Sequence, residues 1–433
     1  MTGSLGPLIL SITIFGLTYF GILTEKVHRT LVALIGAVAM VCVGAWAHFY
    51  ASSDAVAAVD FNTVILLFGM MVLVALFKET GFFEYVAIKV GRATGGRPWL
   101  LFLALGLATT LISMILDNVT TIILMIPVTM SIADILGVSM IPFLIGEVML
   151  SNIGGVATLV GDPPNILIGT AAGFSFTDFL VHLAPIVLLV WVFAQGMLLL
   201  LFRRVLFSVP KNAARLRTLN ARAALTDLRS TRRLLIVLGG VVVLFFLHDR
   251  IGLESGIVAL LGAATGLLWL WPDIRRVLQE IHWDVLVFFV GLFVIVGGLE
   301  AAGALDSVAN AMGSLTTHGI ALSALLLLWL AGIMSAVVDN VPFTIAMLPV
   351  LAALSAKGVH TEPLWWALAL GVGFGGNATP VGSTANVVAI SASEKARQPI
   401  GSKQWIEHGV PIALVSCVLA SLLLFAAIEL HLF

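Results

Sequence analysis

Residues 116–119 read Leu116-Asp117-Asn118-Val119, followed by Pro127, and residues 338–341 read Val338-Asp339-Asn340-Val341, followed by Pro349. The two fragments lie 222 residues apart, and each sits in the middle of a long apolar run. A carboxylate in hydrocarbon is costly by several kcal/mol, so an acid recurring in register at that depth marks a functional site. The duplicated Asp-Asn pair therefore points to a solute pathway through a membrane.

The duplication extends outward from these pairs. Gly69 and Gly81 return as Gly291 and Gly303 at the same spacing, and Pro142, Thr158, Gly161 and Asn165 return 221 residues on as Pro363, Thr379, Gly382 and Asn386. Gly36, His182 and Pro185 return as Gly262, His408 and Pro411 after small insertions. The chain divides into a first repeat over residues 1–204, a basic linker over 205–230 and a second repeat over 231–433, as expected of a duplicated transporter half.

Composition agrees: 60% of the 433 residues are hydrophobic and 10% charged, with mean hydropathy +1.11, far from a soluble domain. The net charge of −1 hides an asymmetry, because nine of the 22 Lys and Arg lie between Arg203 and Arg233, where Asp227 is the only acid. That stretch reads as a solvated loop near anionic lipid. Cys42 and Cys417 support neither a disulfide framework nor a thiolate metal site. No basic residue precedes the apolar stretch ending at Leu23, so no cleaved signal is expected there.

Apolar runs near 5–23, 30–50, 61–77, 98–137, 142–170 and 180–202, then 233–249, 256–272, 283–300, 319–357, 363–392 and 409–430, are long enough to enter the bilayer. Basic residues mark the cytoplasmic side: Lys26 and Arg29, Lys78, Lys89, Arg92 and Arg97, the linker, Arg275 and Arg276, and Lys395, Arg397 and Lys403. Segments 171–179 and 301–318 carry none and belong outside. These assignments require each half to cross an odd number of times, which inverts the second half and leaves both termini outside. The 98–137 run would extend about 60 Å as one helix, so it turns back near Asp117 and Asn118. A re-entrant hairpin suits a tip without Lys or Arg better than two full spans, and 319–357 repeats the pattern.

Between Gly154 and Asn165 the chain reads Gly-Gly-Val-Ala-Thr-Leu-Val-Gly-Asp-Pro-Pro-Asn, which no continuous helix tolerates. Gly371 to Asn386, with Gly373, Gly375, Gly376, Pro380 and Gly382, encodes the same break. Unwound backbone at membrane depth belongs around a cavity. A kinked helix packed through glycine would explain the glycines, but not Asp162, Asn165, Ser383 and Asn386. Glu147, opposite Leu368, reads equally as a proton relay or a satisfied polar residue. His182 and His408 read as interfacial or packing residues. Gly371, Gly373 and Gly376 match G-x-G-x-x-G without a strand before them, too little for a dinucleotide site. No cofactor, metal cluster, nucleic-acid partner or enzymatic nucleophile-base set is indicated, so an enzyme is not expected.

Asp117-Asn118-Val119-Thr120-Thr121, Gly161-Asp162-Pro163-Pro164-Asn165 and Asp339-Asn340-Val341-Pro342 resemble the tip and broken-helix motifs of the ArsB/NhaD permeases of the ion transporter superfamily. The resemblance covers nearly the whole chain. It implies an all-α polytopic membrane protein of the plasma (inner) membrane, with two inverted repeats, each of five spans plus a re-entrant hairpin, and an elevator-like motion. Arsenite pumps, sodium/proton antiporters, melanosomal P-protein-like channels and carboxylate carriers share it, but the Ser-Asn-Thr tip motif of the carboxylate carriers is absent. The expectation is proton-coupled efflux of arsenite or antimonite as the neutral trihydroxide, with sodium/proton antiport as the alternative. Asn118, Thr121, Thr158, Gly161, Asn165, Asn340, Asn377, Thr379, Gly382, Ser383 and Asn386 are the substrate-binding candidates, with no basic residue at the site. Asp117, Asp162, Asp339 and Glu147 are the proton-coupling candidates. No ATP-binding motif occurs, so direct use of ATP would need a soluble ATPase subunit at the cytoplasmic face.

Overall fold

A computed structural model describes residues 5–24, 27–208, 221–305 and 319–432. Lys26, residues 209–220 of the basic linker and residues 306–318 of the expected outer segment lie outside the described residues. The described chain is all-α. In the first half its principal helices are α1 Leu5–Thr24, α2 Arg29–Trp46, α3 Phe61–Thr80, α4 Pro98–Ser113, α5 Asn118–Leu136, α6 Ile141–Gly155, α7 Pro163–Ala172 and α8 Ala184–Leu201. Then follow α9 Leu228–Ile251, α10 Ser255–Leu270, α11 Trp283–Ala301, α12 Ile320–Val337, α13 Asn340–Ala356, α14 Glu362–Gly375, α15 Thr384–Lys395 and α16 Ser402–Glu429. Each helix of the second set repeats the one eight places before it. Nine of the described helices are long and apolar enough to cross a membrane, and the chain is a multi-pass membrane protein.

Local sequence sets these boundaries. The 98–137 run bends into the α4–α5 hairpin, because Asp117 leaves helical geometry and its carboxylate accepts the Thr120 amide at 2.9 Å, capping α5. Asp339 caps α13 in the same way through the Val341 amide. Gly137 ends α5 in the left-handed conformation at φ 67°, which glycine adopts without strain. Pro163 and Pro164 occupy the first turn of α7, where the missing N–H groups would have no helical partner anyway. The double proline thus starts the second half-helix, and the break itself runs from Val156 to Asp162. Asp227, alone among the bases of the linker, holds the start of α9. Hydrogen bonds from the Ser230 hydroxyl and the Arg229 amide keep its carboxyl below the usual carboxylate range.

Small residues reveal how the halves meet. A Cβ on Gly69 of α3 would lie 2.7 Å from the Ala259 carbonyl carbon of α10, and one on Gly291 of α11 would lie 3.1 Å from that of Ala33 of α2. Gly291 is the repeat of Gly69, and Ala259 that of Ala33, so the contact is exchanged between halves. Such reciprocity is the signature of a pseudo-twofold axis. Gly154 meets Thr110 where α6 crosses α4, and Gly375 meets Gly332 where α14 crosses α12, the close approach that small residues permit between membrane helices. His182 stacks on Trp366 and His408 on Phe202 at ring distances of 5.2 and 4.3 Å, in keeping with a packing role.

Candidate transport site

The two hairpin tips and the first helix break converge on one carboxylate. Asn340 Nδ2 donates to both oxygens of Asp162, at 3.2 and 3.1 Å, and Asn118 Nδ2 donates to its Oδ1 at 3.3 Å. Asn118 Nδ2 also reaches Asn152 Oδ1 at 3.0 Å, and Asn152 Nδ2 donates onward to Asn377 Oδ1 and Asn386 Oδ1 at 2.9 and 3.0 Å. Ser383 Oγ donates to Asn152 Oδ1 at 3.3 Å. Asp162, Asn118, Asn152 and Asn377 are each at most 1% exposed, so their hydrogen bonds are made inside the protein, and Asn118 Oδ1 has no partner among the described residues. The residues before four helices, Asp117, Asp162, Asp339 and Ser383, are their N-caps. The positive ends of α5, α7, α13 and α15 therefore face a common space of about 40 Å³.

Asn165 and Asn386 have a different task. Asn165 Nδ2 donates to the carbonyls of Gly155, Val156 and Thr158, and Asn386 Nδ2 to those of Gly376 and Thr379. Both amides staple the freed carbonyls of their own breaks. Thr158 and Thr379 donate to the Met114 and Ala336 carbonyls at the ends of α4 and α12, tying break to hairpin. Gly161 and Gly382 leave no room for a side chain, since a Cβ would fall 2.5 and 2.6 Å from the carbonyl oxygens of Gly155 and Gly376. The donors of these residues are committed to backbone, and of the expected site residues Asp117, Asn118, Asp162, Asp339, Asn340 and Ser383 face the central space, beside Arg29, Thr120, His282 and Thr384. Thr121 is fully buried behind the tip, and its hydroxyl meets no partner among the described residues. Glu147 lies lower on α6, where it accepts the Thr129 hydroxyl at 2.7 Å and its Oε2 has no described partner.

One expectation fails at the site: it does hold a fixed base. Arg29, at the start of α2, donates through Nη1 to Asp339 Oδ2 at 3.0 Å and to Thr384 Oγ1 at 2.6 Å, and its guanidinium lies 5.3 Å from the Phe288 ring centroid. A side chain read only as a topology signal reaches from the helix start to the second tip. Arg29, Thr384 and Asn152 were all missed. For Asn152 a signal existed, since Ser151-Asn152 interrupts an apolar run where the repeat has Val372-Gly373. Beneath the tip, Arg29 and Asp339 border a cavity of about 570 Å³ that His28, Asp284, Thr384 and Lys395 also line. That size suits a small organic ligand.

Residues 19–371 match the family model described as citrate transporter, CitMHS. The chain is 39% identical over 429 residues to the 46 kDa membrane protein of Mycobacterium leprae, covering 96% of this chain and 98% of that one. It is 31% identical over 502 residues to the P protein of Mus musculus, covering 96% of this chain and 60% of the relative. The crystal structure of the Alcanivorax borkumensis YdaH transporter superposes with TM-score 0.61 at 15% identity, over 98% of each chain, and is similar in fold. The family match overturns the assignment to the ArsB/NhaD permeases, and with it arsenite efflux, arsenical resistance and sodium/proton antiport. The reason is physical: the Asp-Asn and Gly-Asp-Pro-Pro-Asn motifs encode caps and breaks, which are properties of the fold, while Arg29 lies outside them. The protein is a membrane transporter and not an enzyme, and it belongs to the CitMHS citrate transporter family.

Proposed function

We propose that the chain is a secondary transporter that carries a citrate-like carboxylate coupled to a cation gradient. The observation that carries this reading is the convergence of four helix N-termini above a cavity footed by Arg29. Each terminus contributes roughly half a positive charge, and a guanidinium matches a carboxylate in charge and fork geometry. Asp117, Asp162 and Asp339 nonetheless outnumber Arg29, so a polyanionic substrate enters only with compensating cations. Those three acids, with Glu147, are the residues proposed to carry them. Asn118, Asn340 and Ser383 are proposed to meet the substrate. Asn165, Asn386, Thr158, Thr379, Gly161 and Gly382 are proposed to hold the breaks open for it, Asn377 to brace Asn152, and Thr121 to pack behind the tip.

The same reading takes residues 1–204 and 231–433 as inverted halves, each of five spans and a re-entrant hairpin, joined by a cytoplasmic linker. The charge distribution supports it. His28, Arg29 and Lys395 share one cavity and Lys78 pairs with Glu280, whereas the cleft lined by Asp60, Asn62, Thr170 and Glu254 contains no Lys or Arg among the described residues. The large cavity then opens to the cytoplasm and both termini lie outside, in the plasma membrane. Helices α4–α7 with α12–α15 would move as one body against α1–α3 with α9–α11. Proteoliposomes containing the full chain should accumulate labelled citrate when a proton gradient is imposed, and unlabelled citrate or malate should compete. Absence of saturable citrate flux under any imposed cation gradient would overturn the reading.

A further inference from the structure

Among the described residues Arg29 is the only arginine lining either the central space or the cavity beneath it, and it is half-committed. Its Nη1 serves Asp339 and Thr384, while Nε and Nη2 donate to no described residue and the side chain is 26% exposed. The repeat shows that the fold does not need it. By the register that pairs Ala33 with Ala259, the equivalent of Arg29 is Ser255, which accepts a hydrogen bond from Asn62 Nδ2 at 3.3 Å and hydrogen-bonds no carboxylate among the described residues. The same helix start is thus built twice, once with a charge bridging to a hairpin tip and once without.

We infer that Arg29 is the anchor for a substrate carboxylate and that Asp339 is its internal competitor, so that partner exchange couples cation loading to substrate binding. This rests on the carboxylate reading given above. The Asp339 carboxylate holds the guanidinium through Nη1. When Asp339 takes a proton, its charge no longer needs Arg29, and the guanidinium turns to the incoming carboxylate. The balance closes with one proton on Asp339 and one substrate carboxylate on Arg29 replacing one ion pair. Without the proton a buried carboxylate loses its partner, and without the substrate a guanidinium does, so each half-loaded state is disfavoured. The other titratable groups facing Asp339 are Asp117 and Asp162 at the opposite tip and break, His282 and Asp284 at the α11 start, and His28 and Lys395 on the cavity wall. Tyr19 of α1 hydrogen-bonds the Pro342 carbonyl nearby. Among the described residues only Arg29 forms an ion pair with Asp339.

The test is equilibrium binding of labelled citrate to the purified full chain across pH, together with proteoliposome flux. Wild-type affinity should rise on acidification by up to about tenfold per pH unit, as one linked proton allows. Asp339→Asn should bind citrate with one linked proton fewer than wild type, leaving the titration of citrate itself and of the other acids, and proton-driven accumulation should fall more than citrate–citrate exchange. Arg29→Gln should weaken binding about tenfold or more at every pH, with Arg29→Lys in between. The double variant Arg29→Gln/Asp339→Asn removes both charges together and should keep the wild-type melting temperature, with the weak binding of a site lacking its anchor and the pH profile of Asp339→Asn. Wild-type pH dependence persisting in Asp339→Asn, or wild-type affinity in Arg29→Gln, would overturn the inference. If the wild-type chain binds no carboxylate, the transport reading falls and takes this inference with it, whereas wild-type binding with unaltered variants removes this inference alone.

Discussion

Around the first break, α6 carries Glu147, Ser151 and Asn152 and the break ends in Asp162; around the second, the same positions hold Leu368, Val372, Gly373 and Ser383. The hairpins differ likewise, since Thr121 and Thr129 of α5 correspond to Phe343 and Leu351 of α13. Even the crossing of α6 with α14 is built in two chemistries. Asn152 hydrogen-bonds Asn377 on one side of the pseudo-twofold, while on the other a Cβ on Gly373 would lie 2.1 Å from Val156. What stays constant is the stapling: Asn165 and Asn386, Thr158 and Thr379, and Ser113 and Ser335, whose hydroxyls reach the Ser151 and Val372 carbonyls at 2.9 and 2.7 Å. Duplicated residues thus maintain the backbone, and unduplicated ones give the two faces of the site different chemistry.

The staples should therefore fail alike in both halves, and this is the largest effect expected. Asn165→Ala strips a donor from three buried carbonyls and Asn386→Ala from two. Each should cost several kcal/mol, at roughly 1–3 kcal/mol per buried group left unsatisfied. Gly161→Ala and Gly382→Ala force a methyl group against backbone that cannot rotate away and should be as damaging. Thermal unfolding in detergent micelles should show matched losses for each pair. A large loss confined to one half would break the comparison.

Exchange at the unduplicated positions should be unequal. Asp162→Asn removes the negative charge and one of the two acceptor oxygens that gather Asn118 and Asn340 from the two tips, and charged hydrogen bonds are worth roughly 1.5–3 kcal/mol. Citrate flux should fall about tenfold to a hundredfold. Ser383→Ala, in the equivalent place, deletes one 3.3 Å hydrogen bond to Asn152 and should lower flux less than about tenfold. Equal losses would make the break symmetric in function as well as in form.

The same division explains what could be read from the chain. Helix breaks, hairpin turns and the repeat were legible because proline, glycine and N-cap aspartate act locally, so Asp117 and Pro163-Pro164 declare their geometry within a few residues. The stapling by Asn165 and Asn386 was not, because an amide in a membrane break looks the same whether its N–H groups meet a ligand or its own carbonyls. Arg29 escaped for a related reason. A base at the edge of an apolar run satisfies the topology rule, and only the tertiary fold brings it against Asp339, 310 residues away. Substrate class was misread with it, since the motifs that dominate the sequence specify the breaks that many solutes could use.

The smallest effect should come from Glu147, and it sharpens the comparison most. Ser151 lies one turn above Glu147 on α6 and joins Ser113 and the Asn118 carbonyl. A line of polar groups thus runs from the tip toward the Thr129–Glu147 hydrogen bond, with no copy in the second half. Glu147→Gln keeps the shape of the side chain and can still accept the Thr129 hydroxyl, so stability should change by less than about 1 kcal/mol. It cannot exchange a proton. If this line carries coupling protons, citrate accumulation driven by a pH gradient should fall while citrate–citrate exchange continues. Leu368→Gln, the mirror change, should instead cost about 1–3 kcal/mol by burying an amide in apolar surroundings and leave the ratio of driven to exchange flux as in wild type. An unchanged ratio in Glu147→Gln would leave Glu147 as packing and confine the coupling chemistry to the tips.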